Sequence, residues 1–287
     1  MKKFNYFLQF IFVVVLFFIF KLIGYNFSTK LSGYIFLLIG PIFRSNKIIL
    51  KNLDIAFPKI NSNEKKLILR KMWFNYGQIF SEYIFIKNFR YSKKFYKKIS
   101  ATNNKVLEKI KSDNEPVIFV SGHFSNFELM AQYIEKNGIN LAAVYRPLNN
   151  NFLNPLMEKI RVKYICKNQV KKGISGTKTL LKFFKDKTSI ALMIDQRVSE
   201  GMKIDFFNKT AFTTTIPAQF VRKFGAKIVP IHIERNKNNE FSLVIHDPLV
   251  FNKSDSVKNI THHLNKVLEK MICQNPEQWI WTHDRWK

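Results

Sequence analysis

Between Phe4 and Phe20 only Asn5 and Gln9 are clearly polar, and the run is bracketed by Lys2-Lys3 and Lys21. A helix of that length reaches across about one bilayer core of ~30 Å or slightly less. A cleaved signal peptide starts with similar charge, but its apolar stretch is shorter and ends in small residues. Here Phe17 to Tyr25 is bulky throughout, so residues 1–25 read as an uncleaved, single-pass membrane anchor. A cleaved signal or a buried core helix are the alternatives. A second apolar stretch, Leu31 to Phe43, is too short to span and holds Gly33, Gly40 and Pro41, which suits an interfacial or re-entrant segment. Lys21, Lys30, Arg44, Lys47 and Lys51 follow the first run and outnumber the two lysines before it. Positive-inside asymmetry therefore places the main body on the cytoplasmic side.

The charge of the whole chain points the same way without choosing a partner. Across 287 residues, 47 Lys plus Arg face 20 Asp plus Glu, a net charge of +27. Nucleic acid, an anionic leaflet, a phosphorylated lipid or an acidic carrier protein would each satisfy it. So would a composition rich in Lys, Asn, Ile and Phe whose excess charge is merely solvated. Cys166 and Cys273 match no zinc or redox spacing and are expected to be inert core residues.

Downstream, Leu67, Ile68, Met72, Trp73, Tyr76, Ile79 and Phe80 recur at helical spacing within Asn63 to Lys87. After Lys111 short apolar runs alternate with helical stretches. Val117 to Val120, Leu141 to Tyr145, Ser189 to Asp195, Lys227 to Glu234 and Phe241 to His246 are predicted strands. Phe127 to Lys136, Pro155 to Tyr164, Gly176 to Lys185, Ile216 to Phe224 and Val257 to Ile272 are predicted helices. That alternation predicts an α/β fold, a mixed sheet flanked by helices. The division that follows is an anchor over 1–25, an interfacial and helical linker over 26–110 packing on the body, and an α/β body over 111–287.

The strand at Val117 runs into Gly122-His-Phe-Ser-Asn-Phe-Glu128, where a helix begins. In α/β proteins, sites collect at the carboxyl ends of strands. On one straight helix His123 and Glu128 would point about 140° apart, so they cooperate only across a strand-to-helix break. Gly122 permits the sharp exit, and Ser125 or Asn126 is a natural N-cap. Glu128 is then free to hold one imidazole nitrogen and leave the other for substrate, making His123 a general base. The competing reading is a capping box over Ser125 to Glu128, in which the glutamate only ties down the helix start. Spacing alone leaves both open.

The chain resembles the lauroyl/myristoyl acyltransferases of lipid A biosynthesis. Besides the anchor and the Gly122 to Glu128 segment, the resemblance rests on Tyr145-Arg-Pro147, Asn154-Pro-Leu156 followed by Arg161, Asp195-Gln196 and Phe206-Phe207 ahead of Thr213-Thr-Thr215. It continues through Gly225-Ala-Lys-Ile-Val-Pro230 to the ending Trp281-Thr-His-Asp-Arg-Trp-Lys287. It implies an acyltransferase in the inner membrane, with an acyl carrier protein thioester as donor and a hydroxyl of an anionic glycolipid, a lipid A precursor, as acceptor. His123 would deprotonate that hydroxyl and Glu128 would orient His123. Arg161 would meet the oxyanion or a substrate phosphate, with Arg146 and Lys163 as alternatives. Tyr145, Gln196 and Asn126 would line the substrate site, and Asp195 would hold Arg161 or His123. No cofactor and no metal is called for. No Gly-x-Ser-x-Gly occurs and neither cysteine lies in a nucleophile motif, so direct attack on the thioester is expected rather than an acyl-enzyme.

His262-His263 lacks a third ligand at usable spacing and reads as exposed. Lys171-Lys172 reads as solvated surface, and Trp279, Trp281 and Trp286 as packing. Acylation of another phospholipid or aminolipid is the alternative within the same chemistry. A membrane-tethered nucleic-acid-binding or scaffold protein would leave His123 and Glu128 idle, and nucleic acid is not the expected partner.

Overall fold

The computed structural model describes residues 2–287. Four long helices come first: α1 (Lys2–Ile23), α2 (Tyr25–Phe43), α3 (Asn46–Ala56) and α4 (Ser62–Glu82). Gly24, at φ 79°, breaks α1 from α2 in a left-handed conformation that costs glycine little. Among the described residues, α1 is the single helix that is long and apolar enough to cross a membrane. Helices α2 and α3 pass the same test only together, as a pair bent by 95°. Asn61 and Glu64 form a reciprocal capping box at the start of α4.

Small residues let α2 and α4 meet backbone to backbone. The Ser32 hydroxyl donates to the Gly77 carbonyl at 2.6 Å, while Gly33 lies on the ring of Phe74 and Gly40 on that of Trp73. A Cβ at Gly77 would stand 2.2 Å from the Ser32 carbonyl oxygen, which is main chain and cannot swing away. Gly77→Ala is therefore expected to lower stability by about 1–3 kcal/mol through overpacking. Thermal unfolding in detergent checks this, and an unchanged midpoint would refute the close approach.

The chain continues through α5 (Ile86–Tyr91), α6 (Lys93–Tyr96), β1 (Ile99–Thr102) and α7 (Lys105–Asp113). Next come β2 (Ile118–Ser121), α8 (Glu128–Lys136), β3 (Leu141–Tyr145) and α9 (Leu153–Ile160), which runs on as a π turn over Arg161–Ile165. They are followed by β4 (Asn168–Lys171), α10 (Ile174–Lys185), β5 (Ser189–Met193), β6 (Met202–Phe206) and β7 (Lys209–Thr213). The last elements are α11 (Ile216–Phe224), β8 (Ile228–Arg235), β9 (Phe241–Ile245) and α12 (Val257–Gln274).

Seven strands form one sheet in the order β1-β9-β8-β2-β5-β3-β4. Strands β8, β2, β5, β3 and β4 are mutually parallel; β9 is antiparallel to β8 and β1 parallel to β9. The fold is thus α/β with a mixed sheet. All four residues of β2 are buried, as befits a central strand covered on both faces.

Four strands were not expected. β1 and β4 are short edge strands, and the sequence of β4, Asn-Gln-Val-Lys, has no apolar run to reveal it. β1 also places residues 99–102 in the sheet, so the sheet starts before residue 111. β6 and β7 form a separate hairpin whose turn, Phe207-Asn208, has φ of 51° and 55°. Such turns are recognised by Asn-Gly or Asp-Gly, and the phenylalanine hides this one. Cys166 is buried, whereas Cys273 is exposed on α12, which corrects its reading as a core residue.

Candidate active site

Strands β2 and β5 lie side by side in register, with Ser121 opposite Met193. Two residues further on, past both carboxyl ends, the same register sets His123 beside Asp195. The His123 Nδ1 lies 2.8 Å from Asp195 Oδ1, and the His123 backbone N–H donates to Oδ2 at 2.8 Å. The Trp279 indole N–H completes the shell, donating to Oδ2 at 2.8 Å. Asp195 is 2% exposed, so its charge rests on these three donors.

Burial alone would hold the imidazole neutral, yet the Asp195 carboxylate outweighs it and, aided by Glu128, raises the His123 pKa above its usual 6.5. Burial likewise opposes the Asp195 charge, but His123 pulls its pKa down to about 2. With Nδ1–H committed to the carboxylate, Nε2 is the free, proton-accepting nitrogen. The ring packs edge-on against Phe127, centroids 4.7 Å apart.

Residues 122–127 form the non-helical break that cooperation of His123 and Glu128 requires, because β2 ends at Ser121 and α8 begins at Glu128. The partners differ from those expected. Glu128 Oε1 accepts from Arg161 Nε at 3.0 Å and Nη2 at 2.9 Å, and from the Tyr83 hydroxyl. Asp195, expected to hold Arg161 or His123, takes the imidazole in place of Glu128. Glu128 is not a capping residue either, since its carboxylate is spent on Arg161 and Tyr83 and α8 has no side-chain cap. Burial, then the neighbouring Glu128, push the Tyr83 hydroxyl well above its usual range, so it stays protonated as a donor. The π turn at Arg161 carries the guanidinium to this carboxylate, and π turns recur at functional sites. Arg161 Nη1 is buried with no hydrogen-bond partner among the described residues.

Behind the break sits a second ion pair. Asn126, expected as a substrate contact, has no exposed surface and donates from Nδ2 to Glu82 Oε2 at 2.9 Å. Glu82, also wholly buried, is gripped by both terminal nitrogens of Arg235, Nη2 at 3.0 Å from Oε2. The Arg235 N–H and C=O meet the Gln278 amide at 2.7 and 2.9 Å, and the Gln278 carbonyl accepts from the Ser125 N–H at 2.8 Å. Ser125 has φ 40°, a conformation that a non-glycine residue keeps only when held. Arg235, through Glu82 and Gln278, thus holds both residues of the turn between His123 and Glu128.

The remaining candidates scatter. The Tyr145 hydroxyl donates to Glu158 at 2.6 Å, and its ring lies 5.6 Å from the Arg161 guanidinium carbon. Gln196 is half-buried beside Asp195, while Arg146 is exposed and has no ion pair among the described residues. Lys163 is exposed against the ring of Tyr164, and the basic partner of Glu128 is Arg161. A surface cavity of about 440 Å³ lies at the opposite end of the sheet, where Val117 precedes β2 and Lys227 precedes β8.

Tyr83, Glu82, Arg235 and Trp279 were not singled out for the site. Trp279 is a packing residue, 2% exposed, as its aromatic neighbourhood implied, but its indole N–H also bonds Asp195. Glu82 did leave a trace, as the one charged residue between Trp73 and Ile86.

At the carboxyl edge of the parallel strands of this mixed α/β sheet, a His–Asp dyad thus lies close to a carboxylate–guanidinium pair. Residues 1–287 match the family described as bacterial lipid A biosynthesis acyltransferase, and the chain belongs to it. The lipid A biosynthesis lauroyltransferase of Escherichia coli strain K12 is 24% identical over 250 residues, 85% of this chain and 79% of that protein. The palmitoleoyltransferase of the same strain is 23% identical over 252 residues, again 85% and 79%. A lipid A biosynthesis acyltransferase of Haemophilus influenzae is 24% identical over 243 residues, 83% and 76%.

Proposed function

We propose that the chain moves a fatty acyl group from an acyl carrier protein thioester to a hydroxyl of a lipid A precursor, at the cytoplasmic face of the inner membrane. The observation that carries this reading is the His123 imidazole, fixed through Nδ1 to Asp195 with Nε2 left free. Nε2 takes the proton of the acceptor hydroxyl, and the oxygen attacks the thioester carbonyl carbon. The carbon–sulfur bond then breaks, and the leaving thiolate takes the proton back from the imidazolium. No covalent acyl-enzyme forms.

Glu128 enters this scheme by holding Arg161. Its carboxylate takes two of the guanidinium nitrogens and leaves Nη1, buried and unpartnered, for the oxyanion that develops on the carbonyl. Burial opposes the Arg161 charge, yet Glu128 and then Tyr83 raise its pKa, so the cation is secure at any physiological pH. The net charge of +27 suits an acidic carrier and an anionic acceptor.

Purified protein given radiolabelled acyl carrier protein and a lipid A precursor is expected to yield the acylated glycolipid. Acylation of a phospholipid with the precursor untouched would refute the acceptor. Arg161→Lys keeps the charge but loses the planar fork, and kcat is expected to fall by about 10²-fold, the effect of one oxyanion donor. A fall confined to KM would assign Arg161 to ground-state binding instead.

A further inference from the structure

We propose that α1 lies along the cytoplasmic leaflet without crossing it, one face docked on the body and the opposite face among the acyl chains. The N-terminus and the body then share one side of the membrane. The proposal rests on the membrane attachment of the proposed function, and replaces the single-pass anchor that composition suggests.

The docked face runs the whole length of the helix. Tyr6, Phe10, Val13, Leu16, Phe17 and Phe20 are its buried or half-buried positions, recurring every three to four residues, the seam that one packed helix presents to another surface. At one end Phe7 and Phe10 meet Phe152, with centroids 5.5 and 6.2 Å apart, and Asn150 Nδ2 donates to the Tyr6 carbonyl at 2.8 Å and to Gln9 Oε1 at 3.3 Å. At the other end Phe17 and Phe20 meet Phe80 at 5.2 and 6.4 Å. These anchor points are about 21 Å apart along the axis at about 1.5 Å per residue.

A crossing helix would carry that seam through the bilayer, and the body with it. With the N-terminus outside, the irregular loop around Asn150, with exposed Asn149 and Asn151, would enter the far leaflet. Lipid-exposed irregular backbone does not occur in hydrocarbon. Reversing the helix instead sends Phe80 there, two residues from Glu82 and with the site behind it. Lying in the plane avoids both. The face away from the seam is a ridge of Phe4, Leu8, Ile11, Val15, Phe18 and Leu22, each 43% to 70% exposed, with no polar residue along it.

The flanking charges agree. Lys2 and Lys3 at the start of the helix, Lys21 in its last turn and Lys30 in α2 sit on one leaflet in the plane, where anionic headgroups attract them. A crossing would leave one of these basic pairs on the outside, against the positive-inside preference. The apolar character that marks α1 as a candidate span fits an in-plane helix equally, because its seam and its ridge are both apolar.

Two cysteine proteins test it with a membrane-impermeant maleimide on intact spheroplasts and on inverted vesicles. Native Cys273 is exposed and reports the body, while Cys166 is buried and its thiol pushed up to about 12 by that burial, so it stays silent. Lys3→Cys in a Cys273→Ala background reports the N-terminus. Both are expected to label in inverted vesicles and to lose labelling in spheroplasts. Labelling of the two positions from opposite sides overturns the proposal. Labelling of both in spheroplasts overturns the cytoplasmic leaflet proposed for the helix together with the cytoplasmic body of the proposed function, and leaves only the in-plane geometry standing. Should position 3 react in neither preparation, a protease-cleavable epitope ahead of Lys2 decides by the same rule.

Discussion

Replacing His123 with alanine is expected to lower kcat for acyl transfer by about 10²- to 10⁴-fold, the contribution of a positioned general base, with the fold intact. The ring is 19% exposed and its one polar side-chain partner is Asp195, so its loss leaves a small, solvent-reachable gap at the edge of the sheet. Asp195→Asn separates base from scaffold more sharply. The reactive form of His123 is the neutral imidazole, so the rate rises with pH through its pKa. Asp195 is what lifts that pKa against the burial, and the asparagine variant should carry the rising limb of kcat/KM to lower pH. Its maximum should fall too, because an amide can present its N–H to Nδ1 and favour the wrong tautomer. Rates from below pH 5 to above pH 9 in one detergent check both effects. An unmoved limb in Asp195→Asn would mean that His123 is not the titrating base.

How much of this was legible follows from where each interaction lies along the chain. The central strands were visible because burial on both faces leaves continuous apolar runs such as Val117 to Val120, whereas β4 is a polar edge strand held by pairing alone. The His123 loop was visible because the strand exit, glycine, histidine and glutamate all fall within seven residues. Its partnership with Asp195 was legible only as one of two possibilities, Arg161 being the other, since His123 and Asp195 are 72 positions apart and are joined by the register of β2 on β5, which no local pattern encodes. Separation in sequence likewise explains the misassigned partner of Glu128: the nearest histidine was credited with a carboxylate to which the π turn brings Arg161. In α1 the seam was masked by composition. Spacing reveals a face only where the other faces differ in polarity, and here they hardly do.

The second large effect is expected at a residue that meets no substrate. Glu82→Gln keeps the shape but leaves the Arg235 guanidinium buried without a counter-charge, and breaking a buried pair in this way costs about 3–5 kcal/mol. Stability should fall by that amount, measured by unfolding in detergent. Asn126 would lose its charged acceptor as well, which loosens the turn held at Ser125, so kcat should drop while KM for the acyl donor stays within about twofold, the split expected when positioning is lost and uniform binding is not. A reciprocal exchange distinguishes this from simple destabilisation. Asn126→Asp alone sets two carboxylates face to face, but combined with Glu82→Gln it restores one carboxylate and one amide in contact, with the negative charge still close to Arg235. The double variant is therefore expected to be more stable and more active than the sum of the single losses allows, a positive coupling between neighbouring groups. Strictly additive losses would show that the Asn126–Glu82 bond does not hold the turn, and that Glu82 serves only to neutralise Arg235.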